Sequence, residues 1–485
     1  RGGADGGAMS ELTIVPLDTE ALGDRSYVIS DGRVAVVVDP QRDIDRVIGI
    51  VTDLGVVVAA VVETHIHNDY VTGGLELSRV TGAVYVVSAA ESVAYERHPV
   101  TDGEVMTFGD IQVTAVHTPG HTPHHMSYVV SHEGRVRAVF SGGSMLYGAT
   151  GRPDLLGPAL TVGLAHDQWH SVRRLAAVLP DEAEVMPTHG FGSFCSTNQQ
   201  ECSTAGMAAT VGEQRLVNPA LTRDEETFVS EMLAGLDAFP AYYAHMGPTN
   251  AAGPTRVDLS PAERADAAEI RRRIDAGEWV IDLRSRSAFA RGHVAGSLGF
   301  DLSGPMVTYL GWLLPHGTPV TLLGESPEQV AQAQRELVRI GIDRPAAAAT
   351  GSVEQWSGGD PLASLQVARW SDVARLGLLD ADGPVSDGRV VLLDVRQHRE
   401  RARSAVVGSM HIPVHELPSR LDEVPEGDVW VHCASGYRAS VVAGLLSRSG
   451  RRVTVVDDSF DRAAGCGLPV QPCEECLPDL VLSGA

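Results

Sequence analysis

Three short stretches concentrate side chains able to hold a metal ion. In "ETHIHNDYVTGG" (63–74), His65, His67 and Asp69 stand at alternate positions directly after an apolar run. "HTPGHT" (117–122) supplies His121 and "MPTHGFGS" (186–193) supplies His189, each again behind an apolar run. Imidazole and carboxylate are donors that zinc and non-haem iron accept. A single histidine of this kind is an ordinary polar residue at a strand end. Three such segments, one carrying His-x-His-x-Asp, read as one metal nest. Tyr70 occupies the next position, where a further ligand would be useful.

A second chemistry sits near the other end. In "VHCASGYRAS" (431–440) a β-type run ends at His432, Cys433 opens a tight loop with Ser435, Gly436 and Arg438, and an amphipathic helical stretch follows. Such a loop turns successive backbone N–H groups inward and adds the positive end of a helix. That environment stabilises a thiolate or persulfide anion, and Arg438 contributes fixed positive charge.

The elements that must position these groups follow from hydrophobic patterning. "VAVVVDP" (34–40), "VVAAVVETH" (57–65), "AVYVVSA" (83–89), "IQVTAVHTPGH" (111–121) and "RAVFSGG" (137–143) are short β-rich runs separated by helical or turn stretches. Loops after strands are where α/β layers place their chemistry. The Gly- and Pro-rich "TNAAGPTRVDLSPAE" (249–263) reads as a domain boundary. Beyond it lies an internal repeat. "VIDLRSRSAFARGHVAGS" (280–297) matches "LLDVRQHRERARSAVVGS" (392–409), pairing Asp282 with Asp394, Arg284 with Arg396 and Gly296 with Gly408. "VTLLGESPEQVAQAQRELVRIG" (320–341) matches "VWVHCASGYRASVVAGLLSRSG" (429–450), and this places Gly324 opposite Cys433 and Gln329 opposite Arg438.

Composition narrows the classes. The chain has 485 residues, 44% of them apolar, enough for several cores. No run approaches the ~20 apolar residues of a membrane span. A net charge of −24 argues against nucleic acid and anionic membranes. All 38 basic residues are arginine, so Schiff-base, pyridoxal and P-loop chemistry, which need lysine, are excluded. Six scattered cysteines suit a reducing cytoplasm. Residues 1–8, "RGGADGGA", are read as unstructured.

The Cys433 segment and its repeat resemble the rhodanese family of sulfurtransferases. A related phosphatase class uses a loop one residue longer. The metal stretches, with "GATGRPDL" (148–155), resemble the metallo-β-lactamase fold, and more narrowly persulfide dioxygenases and glyoxalase II-like hydrolases. In this order the chain resembles a dioxygenase–rhodanese fusion of sulfide metabolism. The resemblance implies an α/β chain throughout: an αββα sandwich over 9–255, then rhodanese-like α/β domains over 256–360 and 361–485. It implies that Cys433 carries sulfane sulfur as a persulfide, cradled by Ser435, Gly436 and Arg438. Tyr70, His125 and Arg152 are the residues expected to face substrate. One metal ion per chain is expected, Fe(II) with zinc as the alternative. The expected partners are a small thiol persulfide or thiosulfate, and O2 where the metal site is active. Homo-oligomerisation is compatible with this reading.

Two departures qualify the expectation. A two-metal hydrolase of this fold needs a histidine where Tyr70 stands and an aspartate where Gly143 stands in "FSGGS", so hydrolysis is the least favoured activity. Mononuclear dioxygenases use two histidines and one carboxylate, which would map to His65, His121 and position 143. With Gly143 there, either His65, His67 and His121 form an all-histidine site, or His65 and His121 bind the ion beside water or an anion. Gly143→Asp is then expected to restore the carboxylate and raise iron occupancy. Gly324 cannot accept sulfur, so the first rhodanese-like copy is expected to be silent; His293, replaced by Ala405 in the second copy, is a further irregularity. The rival is a regulatory protein that senses persulfide through Cys433 beside a degenerate metal domain. Cys195 and Cys202 flank the end of the first domain; Cys195, which follows the His189 loop, is expected to pack, with a place near the metal as the alternative. Cys466, Cys473 and Cys476 are weak candidates for redox or sulfur acceptance, and His124 is expected on an exposed loop.

Overall fold

The computed structural model describes residues 11–197, 209–377 and 390–473, with the backbone of 379–380 and 383–384. Residues 1–8, Cys202 and Cys476 lie outside the described residues. Two compact units divide the chain. One runs through Val257 and takes in Val338–Gly341; the other holds the rest from Asp258 onward.

The first unit begins with strands β1 (Thr13–Thr19), β2 (Asp24–Ser30), β3 (Val34–Val38), β4 (Val57–Val62), β5 (Val84–Ser88) and β6 (His98–Val100). They form one sheet in that order, antiparallel across β1–β2–β3 and parallel from β3 to β6. Strands β7 (Val105–Phe108), β8 (Ile111–His117), β9 (Met126–His132) and β10 (Arg135–Gly142) form the second sheet. The short pair β11 (Met145–Leu146) and β12 (Ala149–Thr150) follows, and β13 (Glu184–Pro187) joins the second sheet parallel to β10.

Side-chain alternation explains why the two sheets stack. Tyr27, Ile29, Val36, Val38, Ala60 and Val62 point from the first sheet into a core shared with Ile111, Val113, Ala115, Tyr128, Val130 and Phe140 of the second. Their neighbours Val28, Ala35, Val37, Val58 and Val61 point the other way, onto helices α1 (Asp45–Leu54) and α2 (Gly74–Thr81). The outer face of the second sheet packs Val129, Val139 and Val185 against Ala165, Val172 and Leu175 of helix α3 (Pro158–Val178). The result is the expected αββα sandwich. Each fully buried Val, Ile or Phe contributes about 1.5–3 kcal/mol, so all four layers are held by burial on both faces of each sheet.

The strand expected over 57–65 ends at Val62, because Asp39 captures the amide of Thr64 and pulls the chain out of the ladder. The stretch 249–263 is not wholly a linker: Thr249–Ala252 finish a helix spanning Tyr243–Ala252, and the unit boundary falls at Val257.

The second unit holds both repeat copies, each built on a parallel sheet. The first orders Leu298–Gly299, Trp279–Asp282, Val320–Gly324 and Ala347–Thr350 side by side. The second orders Gln366–Ala368, Arg452–Val456, Asp428–His432, Val390–Asp394 and Met410–His411. The repeat is physical as well as textual. Arg284 and Arg396 each fold back on the aspartate two residues earlier, with Nη2 at 2.6 Å from Asp282 and 2.7 Å from Asp394. Gly296 and Gly408 both take left-handed backbone, at φ 85° and 76°.

Asp394 is fully buried and also accepts from Arg401 at 3.2 Å. Burial raises its pKa, but His432 and Arg396 outweigh this and hold it far below the usual carboxylate range. Its contribution is therefore complete above the unfolded value and lost as pH falls toward the folded one. Asp394→Ala strands two arginines and is expected to cost about 3–5 kcal/mol in urea unfolding at pH 7. The deficit should shrink only in strong acid; a cost under about 1 kcal/mol at pH 7 would show the pairs to be dispensable.

Candidate metal centre and cysteine loop

The metal-type residues collect at one edge of the sandwich because the strands that carry them all end there. His65 and His67 follow β4, His121 follows β8, Gly143 follows β10, His189 follows β13, and Asp39 follows β3. All are buried. Nitrogens of His65, His121 and His189 lie within 4.8 Å of one another, a set of three that could hold a metal ion. His65 and His189 face each other with Nε2 atoms 3.4 Å apart. His121 is fixed through Nδ1 by the Arg152 carbonyl at 2.8 Å, and its Nε2 is buried without a hydrogen-bond partner. That orphaned nitrogen, in an imidazole-rich donor set, fits a divalent metal.

The Nε2 of His67 is engaged elsewhere, while its Nδ1 is buried without a hydrogen-bond partner. Its Nε2 lies 3.3 Å from Asp39, 3.4 Å from Glu63 and 3.0 Å from the Tyr70 hydroxyl. It groups with Asp39 and Glu63, and separately with Asp69 and His189. Burial works against charge on His67, yet Asp39 and then Glu63 raise it to about 10. His189 contacts Asp24 at 2.9 Å and Asp69 at 3.2 Å through Nδ1. Burial again opposes charge, and Asp69 with Asp24 raises it to about 9. Burial, followed by neighbouring imidazolium charge, pushes His121 down to about 3 and His65 well below the ordinary range. Of the coupled carboxylates, burial and then Asp69 raise Asp24 to about 7. Asp69 is the anionic member, lowered against its burial by His189.

Several sequence expectations are corrected here. The three-histidine group brought within ligand distance is His65, His121 and His189, whereas His67 falls in the two other groups. Arg152, expected at the substrate, is buried, with its guanidinium on Asp154 at 2.7 Å and over the Phe239 ring. Tyr70 is fully buried and spent on His67 and the Asp39 carbonyl. His125 is buried too; its Nε2 accepts from the Gly143 amide at 3.0 Å, its Nδ1 meets Thr118 at 2.8 Å, and its ring stacks on His65. His124 is half-buried, not exposed.

Nor is position 143 an open place for a carboxylate. A Cβ on Gly143 would lie 2.2 Å from His121 Cδ2 and 2.6 Å from its Cγ. Gly151, whose amide donates to the Gly143 carbonyl at 2.9 Å, lies on the ring too: its Cβ would fall 2.7 Å from His121 Nδ1. The imidazole occupies a slot between two glycine backbones. Cys195 packs as expected, buried, its thiol pushed up by burial and then by Asp69.

Sequence reading missed the residues that hold the nest together. Asp39 in "VVVDP" and Glu63 in "VVETH" were legible as acids at strand ends; Asp24 and Asn250 carried no such signal. Asn250 is buried and pins the histidine loop, donating to the carbonyls of His67 and Tyr70 at 2.8 Å each and accepting from the Thr72 amide at 2.9 Å.

In the second unit, Cys433 is buried at the end of strand Asp428–His432, and its Sγ accepts from the Gly436 amide at 3.1 Å. Gly436 sits at φ 96° with no room for a Cβ, which would fall 2.0 Å from Asp457 Oδ1. Asp457 is in turn paired with Arg286 of the first copy at 3.1 Å. Arg438 does not present a free charge to the loop. It makes a two-pronged pair with Glu400, at 2.5 and 2.7 Å, and Glu400 was missed from sequence. Ser435 is exposed. The ring of Tyr309 of the first copy lies tilted 5.6 Å from that of Tyr437, whose hydroxyl donates to the Asp301 carbonyl. The equivalent loop of the first copy is filled: Gln329 Oε1 accepts from the Glu325 amide at 2.7 Å, and its Nε2 donates to the Leu283 carbonyl. Cys466 is partly exposed, and Cys473 is disulfide-bonded.

Residues 22–190 match the metallo-beta-lactamase superfamily, and residues 266–358 and 379–464 each match the rhodanese-like domain. The chain is 30% identical over 216 residues to the mitochondrial persulfide dioxygenase ETHE1 of Homo sapiens, covering 44% of this chain and 75% of that protein. It is 29% identical over 174 residues to a probable polyketide biosynthesis zinc-dependent hydrolase, BaeB, of Bacillus velezensis, covering 34% and 72%. Among solved structures, a metallo-beta-lactamase from Staphylococcus aureus superposes with a TM-score of 0.62 at 25% identity, covering 70% of this chain and 99% of that one.

Asn250→Ala leaves two buried carbonyls and one amide without partners. It is expected to cost about 3 kcal/mol and to speed amide exchange selectively at residues 65–73. Unchanged exchange there would show that the loop holds itself.

Proposed function

The chain belongs to the persulfide dioxygenase family of the metallo-beta-lactamase superfamily, with two rhodanese-like domains following, and from that premise we propose a two-site enzyme of sulfane-sulfur metabolism. The observation that carries the reading is the pairing on one chain of a three-imidazole metal nest with a cysteine loop at a strand–helix junction.

In the second unit, the Cys433 thiolate attacks the outer sulfur of a low-molecular-weight persulfide. The donor S–S bond breaks, the donor leaves as a thiolate, and Cys433 holds the sulfur as a persulfide. Thiosulfate donates the same way, with sulfite leaving. An acceptor thiolate then takes the outer sulfur and frees Cys433. The Gly436 amide is placed to stabilise the anionic sulfur. Arg438, locked to Glu400, fixes the start of the helix that carries the loop. In the first unit the proposed net reaction is RSSH + O2 + H2O giving RSH, sulfite and two protons. His65, His121 and His189 would hold the metal, which supplies O2 activation when bound. Buried His65 and His121, both kept neutral, offer nitrogen lone pairs without first shedding a proton. Asp24 and Asp69 orient His189. A two-metal hydrolase is disfavoured, because His67 is committed to Asp39 and Glu63 and Tyr70 blocks the position beside it.

Cys433→Ser is expected to abolish sulfur transfer from thiosulfate to a thiol, and with it the mass gain of one sulfur on the intact chain. Wild-type rates in that variant would refute the mechanism. Persulfide-dependent O2 uptake with sulfite formation should survive Cys433→Ser and vanish on metal removal.

The first copy is expected to be silent for two reasons, a missing thiol and a filled loop. A Cβ at Gly324 would lie 2.8 Å from Val330 Cγ2 and 3.2 Å from Gln329 Oε1. Gly324→Cys in a Cys433→Ser background should therefore restore no transfer. Recovery of more than about a tenth of the wild-type rate, roughly 1.4 kcal/mol of barrier, would show that the filled loop is no obstacle.

A further inference from the structure

We propose that this chain holds its single metal through three histidines, His65, His121 and His189, and that the glycine at 143 is the seat of the His121 ring and not a vacated ligand position. The inference rests on the metal-dependent reading above and names the ligands of that site.

Four observations converge. First, His65 Nε2 and His189 Nε2 face each other at 3.4 Å. Two nitrogens each about 2.1 Å from one ion at a tetrahedral angle lie about 3.4 Å apart, so the pair is already spaced as ligands of a shared ion. Second, the Nε2 of His121 belongs to the same set and is buried with no other partner. Third, the competing imidazoles turn their Nε2 atoms to other groups, and His67, whose Nδ1 is buried without a hydrogen-bond partner, gathers with Asp69 and His189 or with Asp39 and Glu63 and not with His65 and His121. His67 Nε2 is surrounded by Asp39, Glu63 and Tyr70, and His125 Nε2 accepts from the Gly143 amide. Fourth, no side chain fits at position 143 while His121 stays where the Arg152 carbonyl holds it, because the Cβ would fall on the imidazole carbons.

As ligands the three imidazoles carry no charge, the ion taking the place of the Nε2 proton of His189, and negative charge is supplied one bond further out. Asp24 and Asp69 both contact the Nδ1 of His189, so that its Nε2 is the free donor and the carboxylates back the ligand from behind. A carboxylate placed directly on the metal would be redundant in charge and excluded in space.

The test uses the full-length chain, made metal-free and titrated anaerobically with ferrous iron, and separately with zinc and cobalt(II). Metal per chain and affinity against a competing chelator are read, with the visible bands of the cobalt form as a second signal. Wild type should bind one ion. His189→Gln should lose at least about a hundredfold in affinity and alter the cobalt bands, whereas His67→Gln should change affinity less than about tenfold. Gly143→Asp should lower occupancy, because its side chain displaces His121. Asp24→Asn, which removes no nitrogen, should weaken binding about tenfold and so tests the set even if His189→Gln melts early. Two ions per wild-type chain, wild-type affinity in His189→Gln, or higher occupancy in Gly143→Asp would each overturn the assignment. Metal bound in the expected pattern without persulfide-dependent O2 uptake would refute the dioxygenase reading and uphold the ligand set.

Discussion

The carboxylate of Asp39 is the interaction on which the metal edge depends. It accepts from the amide and hydroxyl of Thr64, each at 2.7 Å, and from the hydroxyl of Thr188, and lies 3.3 Å from His67. Its carbonyl accepts from Ser26 and Tyr70. One buried anion thus ties together the ends of β3, β4 and β13 and the start of β2. Asp39 itself sits at φ 49°, left-handed backbone that aspartate tolerates better than most residues. Burial would raise its pKa, but His67 and the hydrogen bonds hold it down, so it stays charged. Unpaired, such a charge would be expelled from the interior; fully bonded, it fixes three loops at once. The histidines inherit their positions from this knot.

The β-rich runs and the internal repeat were legible in the residues themselves, whereas the αββα layering came from the resemblance. "VAVVVDP" and "VVAAVVETH" alternate between two apolar partners, and that pattern demands a sheet covered on both faces. The Asp-x-Arg motif recurred at 282 and 394 because a local ion pair is written in adjacent residues. His65, His121 and His189 were legible for a similar reason: each is a histidine immediately beyond a strand.

What stayed hidden depends on tertiary direction. Sequence spacing could not say that His67 turns toward Asp39 and Glu63 while His189 turns toward His65. Arg152 was expected at the substrate through the resemblance of its stretch alone, and its type does not reveal that Asp154 and Phe239 enclose it. Gly143 looked like a loss because comparison of residue types counts ligands and not volumes. Only the coordinates put the His121 ring in the space a side chain would fill. Asn250 was invisible because its segment carries linker composition while its amide serves a loop far back in the chain.

The pairing of Arg438 with Glu400 carries a consequence for the charge the cysteine loop offers. Had the guanidinium faced the loop unpaired, the cradle would hold a full positive charge in a dry setting. Instead the helix His398–Arg403 lends Glu400 to neutralise it. What remains for a guest is the amide of Gly436 and the end of the helix Tyr437–Arg448, roughly half an elementary charge. A field of that size matches the single charge of a thiolate or persulfide sulfur at Cys433. A carboxylate outside the loop thereby sets how much positive charge the loop has left to offer its anionic sulfur.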